Sequence, residues 1–432
     1  DHDHVRYLTQ LRELLSSPEI RFHIKRLVFA WLGSLPDPTH DEWEIVEPFL
    51  EVSLVQHHLL PPIRNNLAWF DLLDGLGVIE TWLSSQNDKL PDRGIWFLIM
   101  GDVKKLRSER VAELLKPYRD GQGEWGRRIR TYFEFDGAHY SKPIQELFLK
   151  LLADGIFDQT SQDHHESWWD CLRLAGKQAP DFALEAISKW MDLQMTTWSE
   201  IDKNSSFNRL EYGSSAVNLI KEIATEVPLN YLDEILPRIE KVILNSLIHS
   251  KGSLQRDKVW YIQRNGDPIR VSEAIFDGLF NSIKLLSKEQ PDELEIRIST
   301  LLKSNSLTLA VLLLRAWSSN PIRFGTTCLK YMSKNPDYLD IGYGSWSGKG
   351  TGHAAISRET IQACVPYANL EARSQLESKI IGYSPQDEVE AYKGWHERLL
   401  LESISDQFLS DHGSKRLLEL RKKYPDQEIT LP

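Results

Sequence analysis

The sequence has little of several things, and each shortage excludes a class. Its 432 residues include only three cysteines, Cys171, Cys328 and Cys364, set far apart. That spacing excludes a disulfide scaffold and a cysteine-rich zinc site. No long apolar run occurs. The longest, Leu307 to Leu314 with Thr308 inside it, stops at Arg315, far short of the ~18 residues a membrane helix needs. Positive charge is scarce as well: 51 Lys+Arg stand against 62 Asp+Glu, a net charge of −11, which argues against a general nucleic-acid binder. No basic segment followed by an apolar stretch marks a signal peptide, so a cytoplasmic location without membrane attachment is expected. What is present is enough to build a large core, because 41% of residues are hydrophobic and 26% charged. Such a composition is neither disordered nor collagenous.

Helical periodicity dominates the chain. Ile144, Leu147, Phe148, Leu151 and Leu152 fall on one stripe of an amphipathic helix, and so do Leu232, Ile235, Leu236, Ile239, Val242 and Ile243. Trp168, Cys171, Leu172 and Ala175 repeat the spacing, as do Ala183, Ile187, Trp190 and Met191, and then Leu309, Leu312, Leu313 and Ala316. Val5, Leu8, Leu11 and Leu14 open the chain in a helical pattern, so it is expected to be a fragment of something longer. Period-2 alternation is confined to Thr131–Phe135 and Lys258–Gln263, two short strand candidates. Prolines at Pro36, Pro38, Pro61, Pro62, Pro143, Pro180 and Pro321 punctuate the helices, since the first turn tolerates a missing amide.

Trp31, Trp190 and Trp317 each fall near a helix end, and burial is expected for all three. The pattern predicts an all-α fold, an α-solenoid of degenerate HEAT/TPR-like helical hairpins; about ten pairs of ~40 residues would account for the length. Three segments are expected: an N-terminal helical-repeat segment 1–195, a middle helical segment 196–332 with inserted loops, and a C-terminal cap segment 333–432. Polar interruptions at Thr196–Ser215, His249–Ser272 and Ser333–Ser357 suggest long loops inserted in the array. Two globular helical domains, divided at Thr196–Ser215, are the competing architecture.

Chemistry-bearing motifs are missing. Gly342 to Gly352 is rich in glycine around Lys349, but the position where a phosphate loop needs its first glycine is Tyr343, and the residue after the lysine is Gly350, which has no hydroxyl for Mg²⁺. Asp163-His164-His165-Glu166 places its side chains in sequence rather than at i, i+4, which suits a helix start better than a metal. His57-His58 reads as helix-end packing. The Asp1-His2-Asp3-His4 alternation reads as a solvated chain end. Without a Gly-x-Ser-x-Gly elbow, or a histidine placed beside a cysteine, the three thiols read as buried and structural. No catalytic, cofactor or metal residue is assigned.

One basic cluster has aromatic company, Trp125-Gly126-Arg127-Arg128-Ile129-Arg130-Thr131-Tyr132-Phe133. It suits phosphate contact with base stacking, a protein hot spot, or a solvated face over a packed aromatic core, while Glu124, Glu134 and Asp136 reduce its potential. The candidate partner-binding residues are Trp125, Arg127, Arg128 and Arg130, with Trp346 and Lys349 from the glycine-rich stretch.

The last quarter carries a resemblance. Leu314-Arg315-Ala316-Trp317, Asn335-Pro336-Asp337-Tyr338-Leu339, Ile380-Ile381-Gly382-Tyr383-Ser384-Pro385, Gly394-Trp395-His396-Glu397-Arg398 and Arg416 to Tyr424 follow in an order that resembles the helical-repeat region of large bacterial STAND-type ATPases, the NACHT-like and AVAST antiviral proteins. In that family a C-terminal helical array senses a foreign protein and triggers assembly of the ATPase that precedes it. The resemblance implies the sensor part alone, with a phage protein as ligand and the ATPase portion of its own parent chain as partner, because no ATPase motif occurs here. The expected function is therefore non-catalytic recognition. The rivals are a general intracellular scaffold, a helical enzyme assembled from distant residues such as Glu211, His249 or His353, and a nucleic-acid-binding array, the last disfavoured by the acidic charge.

Overall fold

The computed structural model describes residues 2–51, 60–134, 139–155, 157, 168–173, 175–196, 215–251, 253–260, 268, 270–342, 354–385, 388 and 390–424. Among them are 23 α-helices and a single two-stranded hairpin. The helices start where the sequence provides caps. Asn66, Ser306, Asn320, Asn369 and Ser410 each accept a hydrogen bond from an amide of the first turn that they precede. Proline occupies the first turn of the helices that begin at Lys142, Pro228, Pro291 and Pro321. The chain divides into two compact units, Asp1–Phe182 and Ala183–Pro432.

The first unit contains α1 (His2–Ser16), α2 (Phe22–Gly33), α3 (His40–Val46), α4 (Leu67–Gly75), α5 (Val78–Leu83), α6 (Lys89–Ile99), α7 (Val103–Leu106), α8 (Ser108–Leu115), α9 (Trp125–Glu134), α10 (Lys142–Ala153), α11 (Trp168–Leu172) and α12 (Ala175–Gln178). Helices pack on a neighbour in sequence or on one two or three further along: α1 on α3, α4 on α5, α5 on α6, α6 on α9, α8 on α10 and α9 on α11. The α10 stripe is buried throughout, with Phe148 between Phe133 at 5.1 Å and Phe157 at 4.6 Å. Polar contacts fix the register of the layers. Asn66 caps α4 and also donates to the carbonyls of Gly33 and Leu35 at the end of α2. The Trp69 indole donates to the Leu32 carbonyl at 2.8 Å. Three aspartate–arginine contacts, Asp71–Arg107, Asp74–Arg110 and Asp92–Arg128, each join residues 36 apart in sequence.

The second unit begins within α13 (Pro180–Thr196) and continues with α14 (Ser215–Glu226), α15 (Pro228–Asn245), β1 (Leu247–Lys251), β2 (Leu254–Asp257), α16 (Val271–Glu289), α17 (Pro291–Ile298), α18 (Leu307–Ser319), α19 (Pro321–Lys334), α20 (Ala355–Cys364), α21 (Leu370–Ile380), α22 (Trp395–Leu401) and α23 (Asp411–Lys423). Packing alternates. The even helices follow one another, α14 on α16, α16 on α18, α18 on α20 and α20 on α22. The odd helices are joined by charged contacts, Asp192–Arg238, Asp233–Arg297, Asp292–Arg323 and Lys330–Glu371, and then by Glu377 accepting from Ser410 at the start of α23. Exposed pairs of this kind contribute only about 0–1 kcal/mol each, so burial of apolar stripes drives the packing and the ion pairs fix its register. Gly278 allows α16 to approach its neighbours closely, since a Cβ there would lie 2.6 Å from the Tyr231 hydroxyl and 2.9 Å from Ile220.

The architecture corrects three sequence expectations. Thr131–Glu134 is the last turn of α9 rather than a strand, because Ile129, Tyr132 and Phe133 share a buried helical face. Lys258–Trp260 is a turn, while the hairpin lies just before it; Tyr261–Gln263 fall outside the described residues. The strands of the hairpin pair antiparallel, Leu247 opposite Asp257 and Lys251 opposite Leu254, and Asp257 anchors them by accepting from the Thr308 hydroxyl at 2.5 Å and the Val259 amide at 2.9 Å. Trp190 and Trp317 are buried, but Trp31 is 45% exposed. It lies on the face of α2 opposite Phe29, Leu32 and Gly33, edge-on to Tyr7.

Candidate functional site

Helix α9 carries the basic–aromatic cluster, and the structure divides its members among different surroundings. Trp125 is half-buried and stacks on Tyr118, with ring centroids 3.7 Å apart. Arg128 sits 5.4 Å over the same indole and is turned inward, where its guanidinium donates to Asp92 at 2.7 Å and to the Asp88 carbonyl at 3.2 Å. Arg127 is exposed but doubly paired, to Glu124 at 2.9 Å and Asp92 at 3.1 Å. The hydrogen bond it donates to Glu124, ahead of the charges of Asp92 and Glu124, raises its pKa above the ordinary arginine value against the cost of burial. Arg130 is half-buried. The positive charge of α9 is thus largely spent on the acidic side chains of α6 and its approach, and the cluster clamps two helices. Trp346 and Lys349 lie outside the described residues, as do His57-His58, Asp163–Glu166, Glu211 and His353.

The cysteines are buried, and burial pushes the Cys171 and Cys328 thiols well above their ordinary value, with Cys364 adding to the effect on Cys328. A thiol held protonated is a packing group, the opposite of an activated nucleophile. His40, Asp41 and Glu44 bring ligand atoms within 4.8 Å of one another on the exposed first turns of α3. Asp41 and its neighbour Glu42 lie in the first turn, where acidic groups complement the helix dipole, and Glu44 lies 3.6 Å from the His40 ring one turn on. At the start of α22, Glu388 accepts from the Gly394 and His396 amides, each at 3.2 Å, and from the His396 ring at 3.1 Å.

A second basic feature was not apparent in the sequence. Lys330, Ser333 and Lys334 on α19 face Ser374, Gln375, Ser378 and Lys379 on α21 across a cavity of about 540 Å³. The spacings i, i+3, i+4 on one helix and i, i+1, i+4, i+5 on the other put each set on one helical face. Lys330 is held by Glu371 at 3.4 Å, while Lys334 and Lys379 are exposed and have no acidic partner among the described residues. Ile322 and Leu370, in the first turns of the same two helices, are also strongly exposed. No helix among the described residues is long and apolar enough to cross a membrane.

In comparison with known proteins, no family model, curated protein or solved structure matches the chain.

Proposed function

We propose that the chain is a non-catalytic recognition module, an α-solenoid of degenerate helical hairpins that presents its surface to a partner protein. The observation that carries this is the alternating order of the second unit, in which helices two apart in sequence pack on one another and charged contacts stitch each odd helix to the next. The recurrence of aspartate–arginine contacts at 36 residues in the first unit supports the same plan. Units that cannot bury their apolar faces alone bury them on their neighbours, and the product is an extended surface suited to protein ligands.

The resemblance of the region from Leu314 to Tyr424 to the sensor arrays of bacterial antiviral STAND ATPases makes a phage protein the expected ligand, met in the cytoplasm. The test is affinity capture with this chain from infected and uninfected bacterial lysates, with retained proteins identified by mass spectrometry. A phage protein retained only from infected cells is the expected result. The same host proteins from both lysates would favour a scaffold and overturn the sensor assignment.

A further inference from the structure

We infer that the groove between α19 and α21 is a docking site for an acidic, carboxylate-bearing segment of a partner protein. The inference rests on the recognition reading above and names the chemistry of one contact. Three observations carry it. First, the chain is strongly acidic, with 62 Asp+Glu against 51 Lys+Arg, and many of its arginines are tied to carboxylates. Arg107, Arg110, Arg127, Arg128, Arg238, Arg297, Arg323 and Arg416 all are. Two uncompensated ammonium groups on facing helices therefore create a local field opposite in sign to the molecule's net charge.

Second, the wall between the lysines is polar. Ser374, Ser378 and Gln375 line it, and Ser333 turns its hydroxyl back to the Leu329 carbonyl. The Gln375 amide donates to Glu371 at 3.2 Å, so the Ser374 and Ser378 hydroxyls are the donors offered to carboxylate oxygens while the lysines supply charge. Third, among the described residues the lining contains no aromatic ring, the group on which successive bases stack.

Lys334 and Lys379 sit in the last turns of α19 and α21, where a cation also complements the helix dipole. The test separates that role from ligand binding. A fluorescein-labelled peptide of alternating glutamate and glycine is titrated with the full chain by fluorescence anisotropy. The wild type, K334E/K379E, and the control K221E/K241E, which makes the same charge change elsewhere, are compared. The expected result is binding that weakens with added salt, falls roughly tenfold or more in K334E/K379E, and stays unchanged in the control. Circular dichroism confirms that each variant is folded, and K334Q/K379Q gives an intermediate loss.

The proposal is overturned if the wild type does not bind the peptide, if both double variants lose affinity equally, or if K334E/K379E loses only thermal stability. It is also overturned if a single-stranded RNA oligonucleotide binds the groove more tightly than the peptide does. None of these outcomes affects protein capture from lysates, so the recognition reading stands or falls separately.

Discussion

Phe148 shows what a single side chain contributes. It is fully buried in α10, in ring contact with Phe133, Tyr140 and Phe157. Phe148→Ala leaves a cavity that these rigid rings cannot close, and it is expected to lower the stability of the unit 1–182 by about 3–5 kcal/mol in denaturant unfolding. Glu388 makes a pH-dependent contribution. Burial alone would raise its pKa, but hydrogen bonds from Ser384, the amide and ring of His396 and the Gly394 amide outweigh burial and hold it below the ordinary 4.5. A carboxyl depressed in the folded state contributes in full above its unfolded pKa, and the contribution is lost as pH falls through the lower folded value. Melting temperatures between about pH 6 and pH 3 should therefore drop in the wild type more steeply than in Glu388→Gln, which starts lower and is flatter. Equal slopes would show that Glu388 is not anchoring α22.

Among the elements, the α6–α9 clamp differs from the exposed pairs between odd helices. Asp92 is the carboxylate on which Arg127 and the inward-turned Arg128 converge. Asp92→Ala leaves the inward-turned Arg128 with only the Asp88 carbonyl and carboxylate and the Trp125 ring, and because Asp92 is itself partly exposed it should cost about 1–3 kcal/mol. Arg323→Ala removes only solvent-exposed contacts to Asp292 and Glu295 and should cost less than about 1 kcal/mol. Chemical denaturation of both variants checks the contrast. The elements also show what the sequence could reveal. The stripes of α10 and α15 were legible because their apolar positions keep a 3.6-residue period and are buried, and α18 because its run from Leu309 to Leu314 is buried all round. The hairpin was not, because its strands are four or five residues long and its anchor, the Asp257–Thr308 bond, spans 51 residues. Thr131–Glu134 misled because so short an alternation also fits a helix turn that buries Tyr132 and Phe133. Trp31 misled because a helical stripe does not say which face a neighbour covers.

For the molecule as a whole, the basic surfaces were the least legible feature. Arg127 and Arg128 look like a cationic patch until Asp92, 36 residues from Arg128, is brought against them. Conversely, Lys330, Lys334 and Lys379 are unremarkable in sequence and meet only when α21 packs on α19. The recognition reading depends on units held chiefly by their neighbours, and such an array responds locally to damage, whereas a single cooperative core responds as one. Native-state hydrogen exchange on Leu420→Ala, which removes a buried side chain of α23 packed beside Gly394, tests this most directly. Stacked hairpins predict faster exchange in α22 and α23, fading through α21, with α14–α16 protected as in the wild type. A uniform rise in exchange across residues 183–432 would contradict the stacked-hairpin plan.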